Sequence, residues 1–250
     1  MQSGQVQLKS IYLSLDPYMR GRMNAGRSYA KPVELGTVME GEAVSEVIES
    51  QSDTFNKGDI VIGRTGWQTM PLVSDKIIEK VHNPDLPLSL ALGTLGMPGR
   101  TAYIGMMNIG NPKEGETLVV SAASGAVGSI VGQIGKKIGL NVIGIAGSDE
   151  KCNYVVDELN FDGCVNYKST FFRDELASEL DSGVDIYFES VGGLVTETVT
   201  EFFNSGSRSP ICGYISNYNA KDITKVKTPF HIFGSMINDW GLREAIENFN

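Results

Sequence analysis

The chain has 250 residues, of which 41% are hydrophobic and 20% charged, the composition of an ordinary globular protein of one or two domains. Its formal net charge of −9 argues against nucleic acid as a general partner. No apolar run approaches the roughly 18 residues that a membrane-spanning helix needs, and the first residues lack a secretory-signal pattern.

The cysteines and histidines form no pattern typical of a disulfide framework or a metal centre. Cys152, Cys164 and Cys212 are widely spaced and odd in number, which is typical of free thiols in a reducing cytoplasm. The two histidines, His82 and His231, are too few for a histidine-rich metal site. We therefore predict a cytoplasmic protein that binds no metal.

The first 108 residues are rich in short β-type runs separated by glycine and proline. Strands are predicted near residues 6–13, 41–48 and 59–62, from alternating or continuous apolar positions. A short leucine-rich helix is expected within residues 84–95. The pattern predicts a small, irregular β-barrel or sandwich over residues 1–108.

From residue 109 the pattern changes to alternating strands and helices. The five predicted strands are residues 117–121, 141–146, 164–167, 184–188 and 209–213. Helices are predicted over 127–138, from the spacing of apolar residues, and from Asp149 onward, after a capping serine. This alternation predicts an α/β domain over residues 109–250, with a doubly wound parallel sheet covered by helices on both faces.

The turn after the first of these strands has the pattern of a dinucleotide-binding loop. Ala123, Gly125 and Gly128 occupy the three glycine positions, between a strand and a helix. Gly125 lets the backbone approach a pyrophosphate, and the amides at the start of the helix, around Ala126 and Val127, offer donors to it. The alternative is a turn of an unrelated α/β fold that binds no phosphate.

The residues after the second strand indicate which dinucleotide is preferred. A site specific for NAD usually places a carboxylate there, to accept from the ribose 2′-hydroxyl. Here that strand ends in Ala146, Gly147 and Ser148, and Lys151 follows in the first turn of a helix. An ammonium group can pair with a 2′-phosphate, so we predict NADP(H), unless Lys151 is simply an exposed lysine.

Several stretches together resemble one enzyme family. They are Leu-Asp-Pro-Tyr-Met-Arg at 15–20, Gly-Trp-Gln at 66–68, Gly-Met-Pro-Gly-Arg-Thr-Ala-Tyr at 96–103, the glycine loop, and the segments 146–151, 191–193 and 215–219. The chain resembles the zinc-independent medium-chain dehydrogenase/reductases, and among them the prostaglandin, alkenal and curcumin reductases. The resemblance implies a GroES-like β-rich domain over 1–108 and a Rossmann domain over 109–250. Both domains are expected to be incomplete and the chain truncated at both ends.

The resemblance also implies an activity, which is NADPH-dependent reduction of the carbon–carbon double bond of α,β-unsaturated ketones or aldehydes. Tyr218 and Tyr29 are the implied catalytic tyrosines, and Tyr18, Tyr29 and Tyr103 would line the substrate site. Each tyrosine has the alternative of a packed aromatic side chain with a satisfied hydroxyl. Further implied cofactor contacts are Met97, Thr101, Tyr167, Val191, Cys212, Gly213 and Ile215.

Zinc-dependent relatives carry metal ligands where this chain has Ser14, Met39 and Glu40. Without a metal, an alcohol is not readily converted to the alkoxide that releases a hydride, so alcohol dehydrogenation is not expected. The implied partners are a small hydrophobic enone or enal and a second copy of the chain.

Two other functions stay open at this point. One is an NADPH quinone reductase of the same architecture, against which the Asp-Pro-Tyr-Met-Arg stretch argues. The other is a nucleotide-binding protein without catalytic turnover. The sequence does not determine which enone, enal or quinone would be the substrate.

Overall fold

The computed structural model of the chain describes residues 1–25 and 30–220. They form two compact units, which divide between Met97 and Pro98. Residues that follow this division belong to the core of the second unit: Ala102 and Met106 are fully buried there. This division of the structure precedes the domain boundary that the sequence analysis places after residue 108, and that boundary stays a prediction.

The first unit is built on an antiparallel sheet of five strands in the order β4-β1-β2-β3-β5. The strands are β1 (Gln5–Leu13), β2 (Ala43–Ser50), β3 (Ile60–Gly63), β4 (Leu72–Ser74) and β5 (Ile78–Lys80), and a short helix, α1, spans Tyr18–Arg22. Alternate residues of β1, Val6 and Leu8, are buried against Val47 and Val61. This sheet confirms the three predicted strands and adds two short ones.

The predicted leucine-rich helix is a single 3-10 turn, Leu88–Leu92, which follows Pro87. It ends at Gly93, the amide of which donates to the carbonyl of Leu90.

The second unit contains a parallel sheet of five strands in the order β10-β9-β6-β7-β8. The strands are β6 (Thr117–Ser121), β7 (Asn141–Ala146), β8 (Gly163–Asn166), β9 (Val184–Phe188) and β10 (Phe203–Arg208). The helices are α2 (Met97–Ile104), which continues into a π-helical turn at Gly105–Gly110, α3 (Gly128–Ile138), α4 (Asp149–Asp157), α5 (Phe172–Glu179) and α6 (Leu194–Thr200).

Helices cover both faces of this parallel sheet. Along β6, Leu118 and Val120 lie in one hydrophobic core, whereas Val119 lies in the other. Alternating side chains of a strand point to opposite faces, so two separate cores require two layers of helices. The predicted doubly wound α/β architecture is confirmed.

The fifth predicted strand, residues 209–213, is wrong. The strand that pairs with β9 is β10, through Phe203 beside Val184 and Arg208 beside Ile186. Pro210 lacks an amide hydrogen, and in the 209–213 segment only Ile211 forms a bridge, an isolated one with Glu189. Since β10 is polar and half-exposed, its sequence lacks the apolar signal of a buried strand.

No helix in residues 1–25 and 30–220 is both long and apolar enough to cross a membrane.

Candidate functional site

The strand order of the second unit defines where a ligand can bind. From β6 the chain proceeds through β7 to β8 on one side, and then returns to β9 and β10 on the other. The helices after β6 and β9 therefore lie on opposite sides of a crevice at the carboxyl ends of these two strands. In open α/β sheets such a switch point is the usual ligand site.

A tight turn joins β6 to α3 on one side of this crevice. Ala122 adopts a left-handed conformation, with φ of 49°, and Gly125 donates its amide to the Ala122 carbonyl at 2.8 Å. A Cβ atom at Gly128 would overlap that same carbonyl oxygen, so no larger residue fits there without a shift of the backbone. Ala123 is fully buried, and its amide donates to the Ile145 carbonyl of β7 at 3.0 Å.

The geometry of this turn fits a pyrophosphate. α3 begins at Gly128, and the amides of Ser129 and Ile130 in its first turn donate to the carbonyls of Gly125 and Val127. The amides of the exposed Ala126 and the half-buried Val127 directly precede the helix, at the positive end of its dipole. The turn brings together the predicted residues Ala123, Gly125 and Gly128. The left-handed residue, however, is Ala122, one position before the first glycine position of the motif, which the sequence pattern did not predict.

A second part of the candidate site lies at the ends of β7 and β8. The Tyr167 ring lies against Gly147, at which a Cβ atom would be 3.2 Å from Cε1 of the ring. Ser148 caps α4, since its hydroxyl accepts from the Lys151 amide at 3.4 Å. The Asp149 carboxylate accepts from the side-chain amide of Asn166 at 2.8 Å. These contacts bring the predicted 2′-phosphate residues to one corner of the sheet.

Lys168 belongs to this corner and was missed by the sequence analysis. Its ammonium nitrogen lies 5.9 Å from the centroid of the Tyr167 ring. It therefore adds a cation beside the predicted Tyr167. The signal in the sequence was its position next to Tyr167, at the end of a predicted strand.

The loop after β9 and the segment after β10 form the other side of the crevice. The backbone amide of Cys212 donates to the Glu189 carbonyl at 2.8 Å, and that of Ser216 donates to the Val191 carbonyl at 2.9 Å. The amide of Ile215 donates to Ser190 at 3.2 Å. The structure thus brings together the predicted cofactor residues Val191, Cys212 and Ile215.

Tyr218 belongs to the segment after β10, where it directly follows a 3-10 turn over Ile215–Asn217. Its hydroxyl oxygen would be 2.8 Å from a Cβ atom on Gly213, so the phenol lies directly over that glycine. The nearby Tyr214 packs against Gly192, and burial together with the charge of Glu189 raises the pKa of Tyr214 to about 12. Tyr214 therefore keeps its proton at neutral pH.

Glu189 is a second residue that the sequence analysis missed. It follows β9, is fully buried, and accepts hydrogen bonds from the amides of Val191 and Gly192 and from the hydroxyl of Thr196. The only sequence signal was an acidic residue directly after an apolar strand.

The other predicted residues are located as follows. Tyr18 is half-buried on α1, and the guanidinium of Arg22 lies 6.0 Å from its ring centroid. Met97, Thr101 and Tyr103 are on α2, where Tyr103 is 57% exposed. Tyr29 lies outside the described residues.

The first unit has an open apolar groove of about 290 Å³ beside α1. Its lining includes Leu15, Met19, Met23 and Trp67. An apolar surface with few polar groups is typical of sites for hydrophobic small molecules.

Two of the positions at which zinc-dependent relatives carry ligands, Ser14 and Glu40, make other contacts in the first unit. Glu40 forms an ion pair with the buried Arg22 at 2.8 Å, and the Ser14 hydroxyl donates to Asp16 at 2.9 Å. Over residues 1–25 and 30–220, no three His, Cys, Asp or Glu side chains are grouped as metal ligands would be.

Comparisons with known proteins identify the family. The family described as the N-terminal domain of oxidoreductase matches residues 1–81, and the one described as zinc-binding dehydrogenase matches residues 126–249. The chain is 49% identical over 221 residues to the NADPH-dependent curcumin reductase of Escherichia coli, covering 88% of this chain and 64% of that protein. It is 42% identical over 234 residues to the NADP(+)-dependent 2-alkenal reductase of Nicotiana tabacum, covering 91% and 67%.

A solved structure agrees with these relatives. The crystal structure of CurA from Vibrio vulnificus in complex with NADPH matches with a TM-score of 0.86 and 45% identity, over 95% of this chain and 71% of that one. The chain thus spans about two thirds of the length of the proteins it matches. It belongs to the medium-chain dehydrogenase/reductase superfamily, in the group of the prostaglandin, alkenal and curcumin reductases.

Proposed function

We propose that the protein is an NADPH-dependent reductase of the carbon–carbon double bond in α,β-unsaturated ketones or aldehydes. The observation that carries this proposal is the crevice between β6 and β9. It has a glycine-rich turn on one side, and the corner of Gly147, Tyr167 and two lysines lies beyond the neighbouring strand β7. This arrangement suits a dinucleotide with an additional phosphate on its adenosine ribose.

The printed functions of the relatives support the same cofactor and reaction. The Escherichia coli relative is an NADPH-dependent curcumin reductase and the tobacco relative an NADP(+)-dependent 2-alkenal reductase. The Vibrio vulnificus structure contains NADPH. Curcumin and 2-alkenals share a double bond conjugated to a carbonyl group, which defines the substrate class that we propose here.

Different parts of the chain would hold different parts of the cofactor. The amides at the start of α3 would bind the pyrophosphate. Tyr167, Lys151 and Lys168 would surround the 2′-phosphate, because Tyr167 and Lys168 follow β8 and Lys151 lies in the first turn of α4, which follows β7. The backbone around Val191 and Gly213 would then contact the opposite, nicotinamide half, because it lies across β6 from that corner.

When bound, NADPH supplies the hydride that is added to the β-carbon of the substrate. The electron pair of the double bond then resides on the substrate as an enolate, which must receive one proton at the α-carbon. The Tyr218 hydroxyl is our candidate for stabilising the oxygen of that enolate or delivering the proton. The predicted substrate residues Tyr18, Tyr29 and Tyr103 would supply an apolar lining with few polar groups.

The proposal is tested by measuring NADPH oxidation with a small enone, a 2-alkenal and a quinone, followed by mass spectrometry of the products. We expect turnover with the enone and the alkenal, and products in which the double bond is saturated and the carbonyl group is intact. Turnover with the quinone alone would favour the quinone reductase function. NADPH binding without turnover of any of the three would favour the non-catalytic function.

A homodimer and a cytoplasmic location stay predictions. The resemblance to the reductase family implies that residues 233–240 form the dimer edge, and these residues lie outside the described ones. Sedimentation equilibrium of the purified protein would determine its oligomeric state.

A further inference from the structure

Glu189 lies at the switch point of the second unit, and all of its polar atoms have partners. Its Oε1 accepts from the amides of Val191 at 2.5 Å and Gly192 at 3.0 Å, and lies 3.1 Å from the Ser121 hydroxyl. Its Oε2 accepts from the Thr196 hydroxyl on α6. Its backbone amide donates to Pro210, and its carbonyl accepts from Cys212. One residue therefore connects β6, the loop after β9, α6 and the segment after β10.

The burial of this carboxylate is unusual on physical grounds. Glu189 is 0% exposed, and over the described ranges of the chain it forms no ion pair with a lysine, arginine or histidine. A buried charge without a cation is costly unless hydrogen-bond donors surround it. The charge affects its neighbours as well, since it contributes with burial to raising the pKa of Tyr187 well above its ordinary value.

The loop held by this carboxylate has a conformation that needs support. Gly192 and Gly193 both have positive φ, of 80° and 58°. Because glycine lacks a Cβ atom, these two residues could adopt many other conformations in an isolated chain. The amides of Val191 and Gly192 both point to the same carboxylate oxygen, which fixes the loop at its first turn. Without that acceptor, two donors in a partly buried loop would lose their partner.

The network also reaches the other side of the crevice. The Ser190 amide donates to the Ser121 hydroxyl at 2.7 Å, and Ser121 directly precedes the left-handed Ala122 of the glycine-rich turn. The turn that would hold the pyrophosphate and the loop on the nicotinamide side are therefore connected through Ser121 and Glu189.

We propose that Glu189 is a positioning residue that holds the loop of residues 190–193 against the glycine-rich turn, and thereby shapes the nicotinamide half of the cofactor site. This inference rests on the proposed function. It assigns Glu189 no contact with the reacting atoms. The 2′-phosphate corner lies at β7 and β8, on the far side of β6, so a change at Glu189 should leave it intact.

The test compares the affinities of Glu189→Gln for NADPH and for 2′,5′-ADP, which lacks the nicotinamide half, by titration calorimetry. We expect the dissociation constant for NADPH to rise about tenfold, because a neutral amide oxygen is a weaker acceptor for the Val191 and Gly192 amides than a carboxylate, and the amide nitrogen cannot accept from Thr196. The dissociation constant for 2′,5′-ADP should change by less than about twofold. Glu197→Gln is the matched control, since it makes the same substitution on the exposed side of α6 and should leave both affinities unchanged.

Hydrogen exchange measured without cofactor distinguishes a positioning role of Glu189 from a general role in the stability of the fold. In Glu189→Gln, hydrogen exchange at the amides of Val191 and Gly192 should accelerate, whereas exchange in the centre of β6 should not change. If Glu189→Gln does not fold, Thr196→Val carries the test, because it removes the donor to Oε2 and leaves the Oε1 contacts. It should shift the NADPH affinity in the same direction by a smaller factor.

Equal changes in the two affinities, or no change in either, would overturn the proposal and assign Glu189 to the stability of the fold alone. A native protein that binds 2′,5′-ADP and NADPH equally well would overturn it too, because the nicotinamide half would then contribute nothing. Failure of the native protein to bind either ligand would instead refute the proposed function, on which this inference depends.

Discussion

The ring of Tyr167 lies against the backbone of Gly147, so closely that a Cβ atom on Gly147 would be 3.2 Å from the ring and 3.5 Å from its hydroxyl oxygen. The two residues end neighbouring strands, and the Tyr167 amide donates to the carbonyl of Ala146 at 3.1 Å. A small residue and a phenol hydroxyl therefore meet beside the first turn of α4, which carries Lys151. This contact leaves little room for a side chain at the position after β7.

Replacing Lys151 by alanine should weaken the binding of NADPH about ten- to a hundredfold and leave that of NADH nearly unchanged. The reason is the loss of one charge-assisted contact with the 2′-phosphate, worth about 1.5–3 kcal/mol. Calorimetry with both cofactors measures the effect. Lys137→Ala is the control, since Lys137 is exposed in the last turn of α3, at the opposite end of that helix from the glycine-rich turn. Equal native affinities for the two cofactors would contradict the prediction.

Replacing Gly128 by alanine should lower the midpoint of thermal unfolding and weaken NADPH binding. The added methyl group would overlap the carbonyl of Ala122, and such overpacking typically costs about 1–3 kcal/mol. In contrast, Gly21→Ala in α1 meets no atom within 4 Å and should be neutral or stabilising. Calorimetric scans of the two variants decide the matter, and an unchanged midpoint for Gly128→Ala would show that the turn adapts.

The ion pair of Glu116 and Arg208 should make part of the stability dependent on pH. Two hydrogen bonds join the guanidinium to the carboxylate, one of them 2.9 Å long, and they lower the pKa of Glu116 below its ordinary value of 4.5. A lowered pKa means that the folded state favours the carboxylate. The ion pair therefore contributes fully to the folding stability above about pH 4.5, and this contribution is lost as the pH falls through the lowered pKa of Glu116.

Accordingly, Glu116→Gln should reduce the free energy of unfolding at neutral pH by on the order of 1 kcal/mol. The difference from the native protein should shrink in acid. Urea unfolding at several pH values measures both effects. Glu114→Gln, an exposed neighbour in the same loop, should show no such dependence. A difference that grows in acid would contradict the assignment.

Tyr218→Phe should reduce turnover on the order of a hundredfold, with a smaller effect on the Michaelis constant. The hydroxyl would act only as charge develops on the substrate oxygen, so its loss affects the transition state more than binding. Steady-state kinetics with an enone measure the two constants. Tyr12→Phe, an exposed tyrosine of β1, is a neutral control. Normal turnover in Tyr218→Phe combined with its loss in Tyr29→Phe would reverse the predicted roles of these two tyrosines.

Treatment with a chelator should leave the reductase activity unchanged, because Ser14, Met39 and Glu40 stand where zinc-dependent relatives have ligands. Elemental analysis of the purified protein checks this directly. One zinc ion per chain, lost together with activity on chelation, would show that the prediction is wrong.

The sequence alone determined those parts of the protein in which local residues carry the signal. The run Thr117–Ser121, the glycine spacing after it and the apolar spacing from Val127 to Ile138 predicted a strand, a turn and a helix, and the structure has all three. Each is specified by neighbours along the chain: an apolar run is buried, and a stripe of period 3.6 forms a helix. The motif for the cofactor could be recognised for the same reason.

Only the tertiary structure decided the features that depend on distant residues. The polar strand β10 has no apolar pattern and is defined by pairing with β9. Ser121 and Glu189 are 68 positions apart, and Arg208 and Glu116 are 92 apart. Such pairs meet because the strand order places β9 next to β6 and β10 next to β9, and that order follows from how the whole sheet packs rather than from any local pattern. In the sequence, Glu189 cannot be distinguished from an acidic surface residue. Only the fold shows that it is buried and surrounded by hydrogen-bond donors.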